Sequence, residues 1–189
     1  MKQKHLGIFA ILLFVGWQYL ADAGWPTTYA PVDSSGNMTL PGSGTFIGGI
    51  VGETTGTSAP PGTIGEVISS SIPVGSAVAM TSGTPINVTS ITLGPGDWDI
   101  YGMIDLHPGS GTSIANTTLG ISQTSNMMGQ QDTYSTNLYN TTSSIDLSAN
   151  TPTVRFSTSV QTVIYLVVSG TFSTSTLSAY GTIWARRAR

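Results

Sequence analysis

The stretch Ile91–His107, ITLGPGDWDIYGMIDLH, constrains the fold most because it contains a strand, a tight turn and a second strand. In the turn Gly94-Pro95-Gly96, proline fixes φ and the glycines allow the backbone to reverse. After the turn, two sets of side chains alternate: Trp98, Ile100, Gly102, Ile104 and Leu106 on one face, and Asp97, Asp99, Tyr101, Met103 and Asp105 on the other. A period of two predicts a strand with one face in a core and one face in water. We therefore predict a central core strand here.

Similar short runs, separated by turn signals, continue from Glu66 to the end of the sequence. Only 8% of the residues are charged and glycine is abundant, a composition that suits short strands and turns better than long helices. This spacing predicts an all-β antiparallel sandwich or barrel. The predicted strands are Glu66–Ile72, Ser76–Met80, Ile86–Leu93, Asp97–Leu106, Ser113–Thr124, Thr133–Asn140, Val154–Ser159, Thr162–Ser169 and Ala179–Arg187.

One of these runs, Thr162–Val168, is apolar on both faces. A strand of this kind is buried on both sides, either inside a sandwich or by another subunit.

Residues 1–24 form a hydrophobic N-terminal segment. Lys2 and Lys4 precede an apolar run, and Ala21-Asp22-Ala23 places small residues in an A-x-A arrangement. Three interpretations remain open: a secretory signal cleaved after Ala23, an N-terminal membrane anchor, or a retained hydrophobic helix buried in an assembly.

Residues 25–65 are rich in Gly, Pro, Ser and Thr, which predicts an extended arm or linker outside the main domain. Its apolar residues, Phe46, Ile47 and Ile50 among them, would bury a patch against a neighbouring subunit. The predicted organisation is therefore a segment at 1–24, an arm at 25–65 and a β-sandwich at 66–189.

The charge and cysteine content exclude several classes of partner and site. The net charge of −3 gives no global field that attracts nucleic acid, so no nucleic-acid partner is expected. Because the chain contains no cysteine, it has no disulfides and no thiolate metal sites.

Three stretches, Gly65–Gly102, Thr162–Phe172 and Ser178–Arg189, resemble a family of small bacteriophage virion proteins, described as head fibre, decoration or tail fibre proteins. The most specific parts are PGDWD at residues 95–99 and the ending ARRAR at residues 185–189. The resemblance covers about residues 65–189, although the middle, from about Asn116 to Ala149, matches only in texture. Members of the family often begin with a short arm, so the signal-like segment 1–24 departs from the pattern.

This resemblance implies a jelly-roll-like domain that forms a homotrimer and is attached to a virion. The implied partners are other copies of the chain, phage capsid or tail proteins and, for a receptor-binding role, a host surface glycan.

The chain contains no motif that indicates an enzyme, so no catalytic residue, metal site or cofactor is expected. Asp97, Asp99 and Asp105 share a strand face at a spacing that glycosidases and calcium sites also use, but we interpret them as a solvated strand face kept soluble by its aspartates. His107 lies at a strand end, and the G-x-S-x-G elbow that would position a reactive serine is missing.

The ending contains three arginines, Arg186, Arg187 and Arg189, which would hold a carboxylate patch on a capsid or pair with acidic residues across a trimer. The alternative for them is a solvated basic terminus. Arg155 is expected to point outward or to meet a neighbouring subunit.

Aromatic residues of the predicted strands, Trp98, Tyr165, Tyr180 and Trp184, are expected to pack in the core or at a subunit interface. Tyr134 and Tyr139 lie where the family resemblance fades, and we expect them to belong to a receptor-contacting loop.

The leading hypothesis is a non-enzymatic phage structural protein located in the virion, as a trimeric head fibre or decoration protein attached through its arm. The alternatives are a receptor-binding tail fibre protein and an exported, membrane-anchored surface protein that binds carbohydrate. The last alternative places the protein in the cell envelope and requires residues 1–23 to act as a signal or anchor.

Overall fold

The computed structural model describes Gly56 and residues 58–188, and the elements within them are β-strands and two one-turn 3₁₀ helices. The strands are β1 (Val67–Ile72), β2 (Val78–Ala79), β3 (Ile86–Leu93), β4 (Gly96–Pro108), β5 (Thr112–Ser122), β6 (Tyr134–Ser143), β7 (Leu147–Asn150), β8 (Val154–Thr158), β9 (Thr162–Ser173) and β10 (Leu177–Arg187). The 3₁₀ turns are Val74–Ser76 and Gln131–Thr133. The predicted N-terminal helix and the apolar residues Phe46, Ile47 and Ile50 lie outside the described residues.

The strands form two antiparallel sheets that pack as a sandwich. The six-stranded sheet has the order β1-β10-β4-β7; β2 pairs with β10 beyond the end of β1, and β8 pairs with β4 beside β7. The four-stranded sheet has the order β3-β9-β5-β6. The prediction of an all-β antiparallel sandwich is therefore confirmed.

Strand β4 lies inside the six-stranded sheet, between β10 and the β7/β8 edge, as the alternating pattern predicts. Trp98, Ile100, Ile104 and Leu106 are at most 1% exposed and point into the core. Position 102 has no room for a side chain, because a Cβ there would lie 2.5 Å from Leu166 Cδ1 of the facing sheet.

The rest of the core comes from the inward sides of both sheets. Its buried members include Val88, Ile91, Leu93, Ile114, Leu119, Ile121, Ile164, Leu166, Val168, Leu177, Ala179, Ile183 and Ala185. Alternation along each strand thus places one apolar layer between two outward faces.

The apolar run of β9 is buried on one side and only partly covered on the other. Ile164, Leu166 and Val168 lie in the core, and on the outward side Val167 is fully buried, whereas Val163 is 38% exposed. Within a single chain, the prediction that this strand is buried on both faces therefore fails at Val163.

Prolines and 3₁₀ turns interrupt both edges of the six-stranded sheet. Pro73 and the turn Val74–Ser76 separate β1 from β2, and Pro152 separates β7 from β8. Because proline cannot donate to a strand ladder, each proline divides its edge into two shorter strands.

Within the described residues, no helix has the length and apolar composition needed to cross a membrane.

Candidate functional site

Charged side chains meet at the end of the sandwich where the chain enters β1. Glu66, just before β1, and Arg187, the last residue of β10, form an ion pair with 2.9 Å between Oε2 and Nε. Both residues are only 8% exposed, although 121 positions separate them in the sequence. We call Glu66, Arg187 and the turn Gly94–Gly96 the junction.

The Gly94–Gly96 turn encloses the guanidinium of Arg187. Nη1 of Arg187 donates a hydrogen bond to the carbonyl oxygen of Pro95 at 2.6 Å, and Cζ lies 4.2 Å from the centroid of the Trp98 ring. Trp98 Nε1 in turn donates to the carbonyl oxygen of Gly94 at 3.0 Å. The buried cation is thus satisfied by a carboxylate, a carbonyl and an aromatic face.

Glycine is required at position 96 by both space and backbone conformation. A Cβ at Gly96 would lie 1.9 Å from Arg187 Nη1, and its φ of 147° is one that side chains rarely adopt. This requirement explains the glycine before the aspartates of β4.

Backbone hydrogen bonds join the chain entering β1 to the end of β10. Gly65 N donates to Arg187 O at 3.0 Å, Arg187 N donates to Glu66 O at 2.9 Å, and Ala188 N donates to Asp97 O at 2.8 Å. Oε2 of Glu66 also accepts a hydrogen bond from Gly62 N at 2.8 Å. Gly65 and Glu66 are therefore bonded directly to the end of β10, and Gly62 is bonded to Glu66.

A second ion pair lies on the outward face nearby. Arg155 of β8 donates to Asp97 through Nε and Nη2 at 3.1 and 2.5 Å, a fork geometry that fits a carboxylate. The hydrogen bond to Asp97 raises the pKa of Arg155 above its ordinary value.

Two sequence-based expectations about these residues are corrected. Asp97 is 5% exposed, not solvated like the rest of its strand face, because Arg155 covers it. Arg187 is buried within the chain, so it belongs neither to a solvated basic terminus nor to an exposed contact surface. Arg186 is exposed, as expected, and Arg189 lies outside the described residues.

At the opposite end of β4, His107 belongs to a surface cluster. His107 Nδ1 lies 2.7 Å from Asp146 Oδ1, and the Tyr180 hydroxyl donates to Asp146 Oδ2 at 2.7 Å. The hydrogen bond from Tyr180, followed by that from His107, lowers the pKa of Asp146, and the same bond to Asp146 raises the pKa of Tyr180 to about 12. Asp105 accepts a hydrogen bond from Ser148 beside them.

Among the described residues, no group of three histidine or acidic side chains is placed to hold a metal ion. The interactions instead join β4, β10 and the turn before β7.

The other aromatic residues lie in several environments. Trp98 is fully buried, while Tyr101 and Trp184 stack across β4 and β10 with 5.1 Å between ring centroids, and Tyr101 is 46% exposed. Tyr165 and Tyr180 are half-buried in strands.

Tyr134 and Tyr139, which we expected in a receptor-contacting loop, do not lie in a loop. Both residues lie in strand β6, and Tyr139 packs against the core. The connection between β5 and β6 consists of residues 123–133. It borders a cleft of about 440 Å³ whose apolar floor includes Ile121, Ile164 and Phe156.

No protein-family model matches the sequence, and no curated protein matches it. Among solved structures, the chain is similar to infectious bursal disease virus, Gx strain, with a TM-score of 0.37 and 15% identity over 64% of this chain and 31% of the other. It is also similar to the VP2 subviral particle of infectious bursal disease virus, with a TM-score of 0.40 and 14% identity over 74% of this chain and 37% of the other. The chain thus spans about a third of each matched protein, and similarity at this level does not assign a function.

Proposed function

We propose that the protein is a non-enzymatic structural protein of a bacteriophage virion, a homotrimeric head fibre or capsid decoration protein. The segment before Glu66 serves as the arm that attaches the sandwich to capsid or tail proteins. No cofactor and no nucleic acid take part in this role.

The junction is the observation that carries this proposal. The two stretches most specific to the phage protein resemblance, residues 95–99 and the described part of the ending, residues 185–188, meet there with the end of the arm. A projecting domain needs a fixed connection to its arm, because a loose one would let the domain swing and detach. Buried charge pairing and backbone bonds to residues 62–66 supply such a connection.

The strand order supports the jelly-roll part of the proposal. If β1/β2 and β7/β8 are each counted as one edge position, both sheets have four positions, and every neighbouring pair except β5 and β6 joins strands that are not consecutive in sequence. Eight positions in two such sheets are the arrangement of a jelly roll, a fold that viral capsid proteins use.

A receptor-binding tail protein is the second candidate, favoured by the exposed Tyr101–Trp184 stack on the outward face of the six-stranded sheet. Sugars pack against aromatic rings, and Asp105, Ser148 and His107 supply polar groups on the same sheet. A Tyr101→Ala variant that loses binding to host cells or surface glycans, while Leu138→Ala retains it, would favour this role. Equal binding by the two variants would leave the head fibre or decoration role as the better candidate.

The direct test is to fractionate particles from the natural source and to measure the mass of this chain by mass spectrometry. We expect the chain to cosediment with particles and, once released from them, to have a native mass three times its denatured mass. A chain that begins at Gly24 and is free of particles would refute the virion role and support the exported surface protein.

A further inference from the structure

Charge is divided unequally between the two sheets. The strands β3, β9, β5 and β6 contain no Asp, Glu, Lys, Arg or His. The six-stranded sheet, in contrast, contains three aspartates and a histidine in β4, Arg155 in β8 and two arginines in β10. Because an average protein is about one-quarter charged, four strands without charge form an unusual outward surface.

We define the outward side of these four strands as the uncharged face. Alternation assigns its members, since Ile91, Ile164 and Leu119 point inward. The sequence neighbours of those residues then point outward, among them Ser90, Thr92, Thr118, Val163 and Tyr165. In β6, Tyr139 packs against the core, so alternation places Thr136 and Leu138 on the outward side.

Apolar side chains are exposed on this face. Leu138 is 76% exposed and Val163 is 38% exposed, and Tyr165 is half-buried beside Ser90. Elsewhere the surface is hydroxyl groups, such as those of Thr118 and Thr136, which hydrogen-bond to each other at 2.9 Å. Depletion of charge together with exposed apolar and aromatic groups is the composition of an interface core.

The face is large enough for a stable interface. Four strands about 4.8 Å apart, each with about ten residues at about 3.3 Å, give a projected area of about 600 Å². Side-chain relief increases the accessible area above the projection, toward the roughly 800 Å² per partner of a standard interface.

We propose that the uncharged face is the surface through which copies of this chain associate, with the occupant of the face being the second copy. The inference rests on the proposed trimer and adds the sheet that faces the symmetry axis. A surface without charge has no pattern to select a charged foreign partner, whereas two such surfaces meet without desolvating any ion. The charged sheet then faces outward, where the junction and its arm remain accessible.

The test uses the full chain and two matched valine variants. Val163→Glu introduces a charge into the uncharged face, and Val67→Glu introduces the same charge into the other sheet, where Val67 is 43% exposed. Ser90→Glu is the second variant in the face; its side chain is exposed, so folding does not depend on it. Sedimentation velocity over a range of concentrations gives the assembly constants, and circular dichroism verifies the fold of each variant.

We expect Val163→Glu and Ser90→Glu to weaken association by about a hundredfold or more, because a carboxylate would be buried without a partner. Val67→Glu should associate as the wild type does. Wild-type association by both face variants, or equal weakening by Val67→Glu, would overturn the proposal and leave the trimer in place.

Two further outcomes separate this inference from the proposed function. A wild-type chain that is monomeric alone, or that assembles only with other particle proteins, would overturn both the trimer and the self-associating face. Assembly through the face by a protein that never cosediments with particles would support the face and refute the virion role.

Discussion

Replacing Arg187 with methionine tests whether the junction stabilises the sandwich as a buried ion pair. The change keeps most of the apolar volume of the side chain but removes the bonds to Glu66 and Pro95 and the cation over Trp98. The carboxylate of Glu66 is then left nearly buried, and it still accepts a hydrogen bond from Gly62 N.

The expected loss follows from the burial of that carboxylate. Removing one partner of a buried pair costs about 3–5 kcal/mol, and we expect about 3 kcal/mol because both side chains keep slight exposure. In a domain of this size, that loss corresponds to a fall in Tm of about 10 °C.

The assay is thermal and urea unfolding at one fixed protein concentration, since association would otherwise change the apparent stability. Arg186→Met is the matched control: it removes the neighbouring arginine, which is exposed, and should cost less than about 0.5 kcal/mol. Adding Glu66→Gln to Arg187→Met should recover part of the loss, because the unpaired charge disappears. Equal destabilisation by the Arg186 and Arg187 changes would refute the reasoning.

Two other predictions concern the turn and the surface cluster. Gly96→Ala should lower the free energy of unfolding by about 2–3 kcal/mol, because of the φ of residue 96 and the clash with Arg187. The control Gly75→Ala should be near neutral, because position 75 has open space around it. Urea unfolding measures both changes. The pKa of Tyr180 is raised from 10.0 to about 12, so its bond to Asp146 stabilises the fold below pH 10 and is lost as pH rises through about 12. In a titration followed by tyrosinate absorbance, Asp146→Asn should return the pKa of Tyr180 toward 10.0. If the tyrosine that ionises at the highest pH does so at the same pH in the variant as in the wild type, the hydrogen bond is contradicted.

Much of the fold could be predicted from the sequence because alternation is a local signal. The predicted strand Ile86–Leu93 agrees with β3 at both ends, and the predicted inward face of β4 is the buried one. Strand β7 was missed, because LSAN is short, contains no β-branched residue and lies between two turn signals. Strand β9 continues past the predicted end at Ser169, since Gly170 packs closely against Thr117 instead of ending the strand.

The junction could not be predicted, because its members are brought together only by the topology. Glu66 gave no signal as a lone carboxylate at a strand start, and Arg187 looked like part of a basic ending. Their pairing depends on β1 lying beside β10, which no local pattern reveals. The same is true of Asp146, whose partners come from β4 and β10.

The first strand of the sandwich begins beside the end of the last strand, and Gly65 N is bonded to Arg187 O. A short linker would therefore join residue 188 to residue 65 without stretching either strand. A circular permutant opened in the exposed turn between β8 and β9 would keep every pairing of both sheets but relocate the chain ends. Such a permutant would lack the residues before 65 and would present a fused cargo from the β8 edge of the six-stranded sheet, on the other side of β4 and β10 from β1.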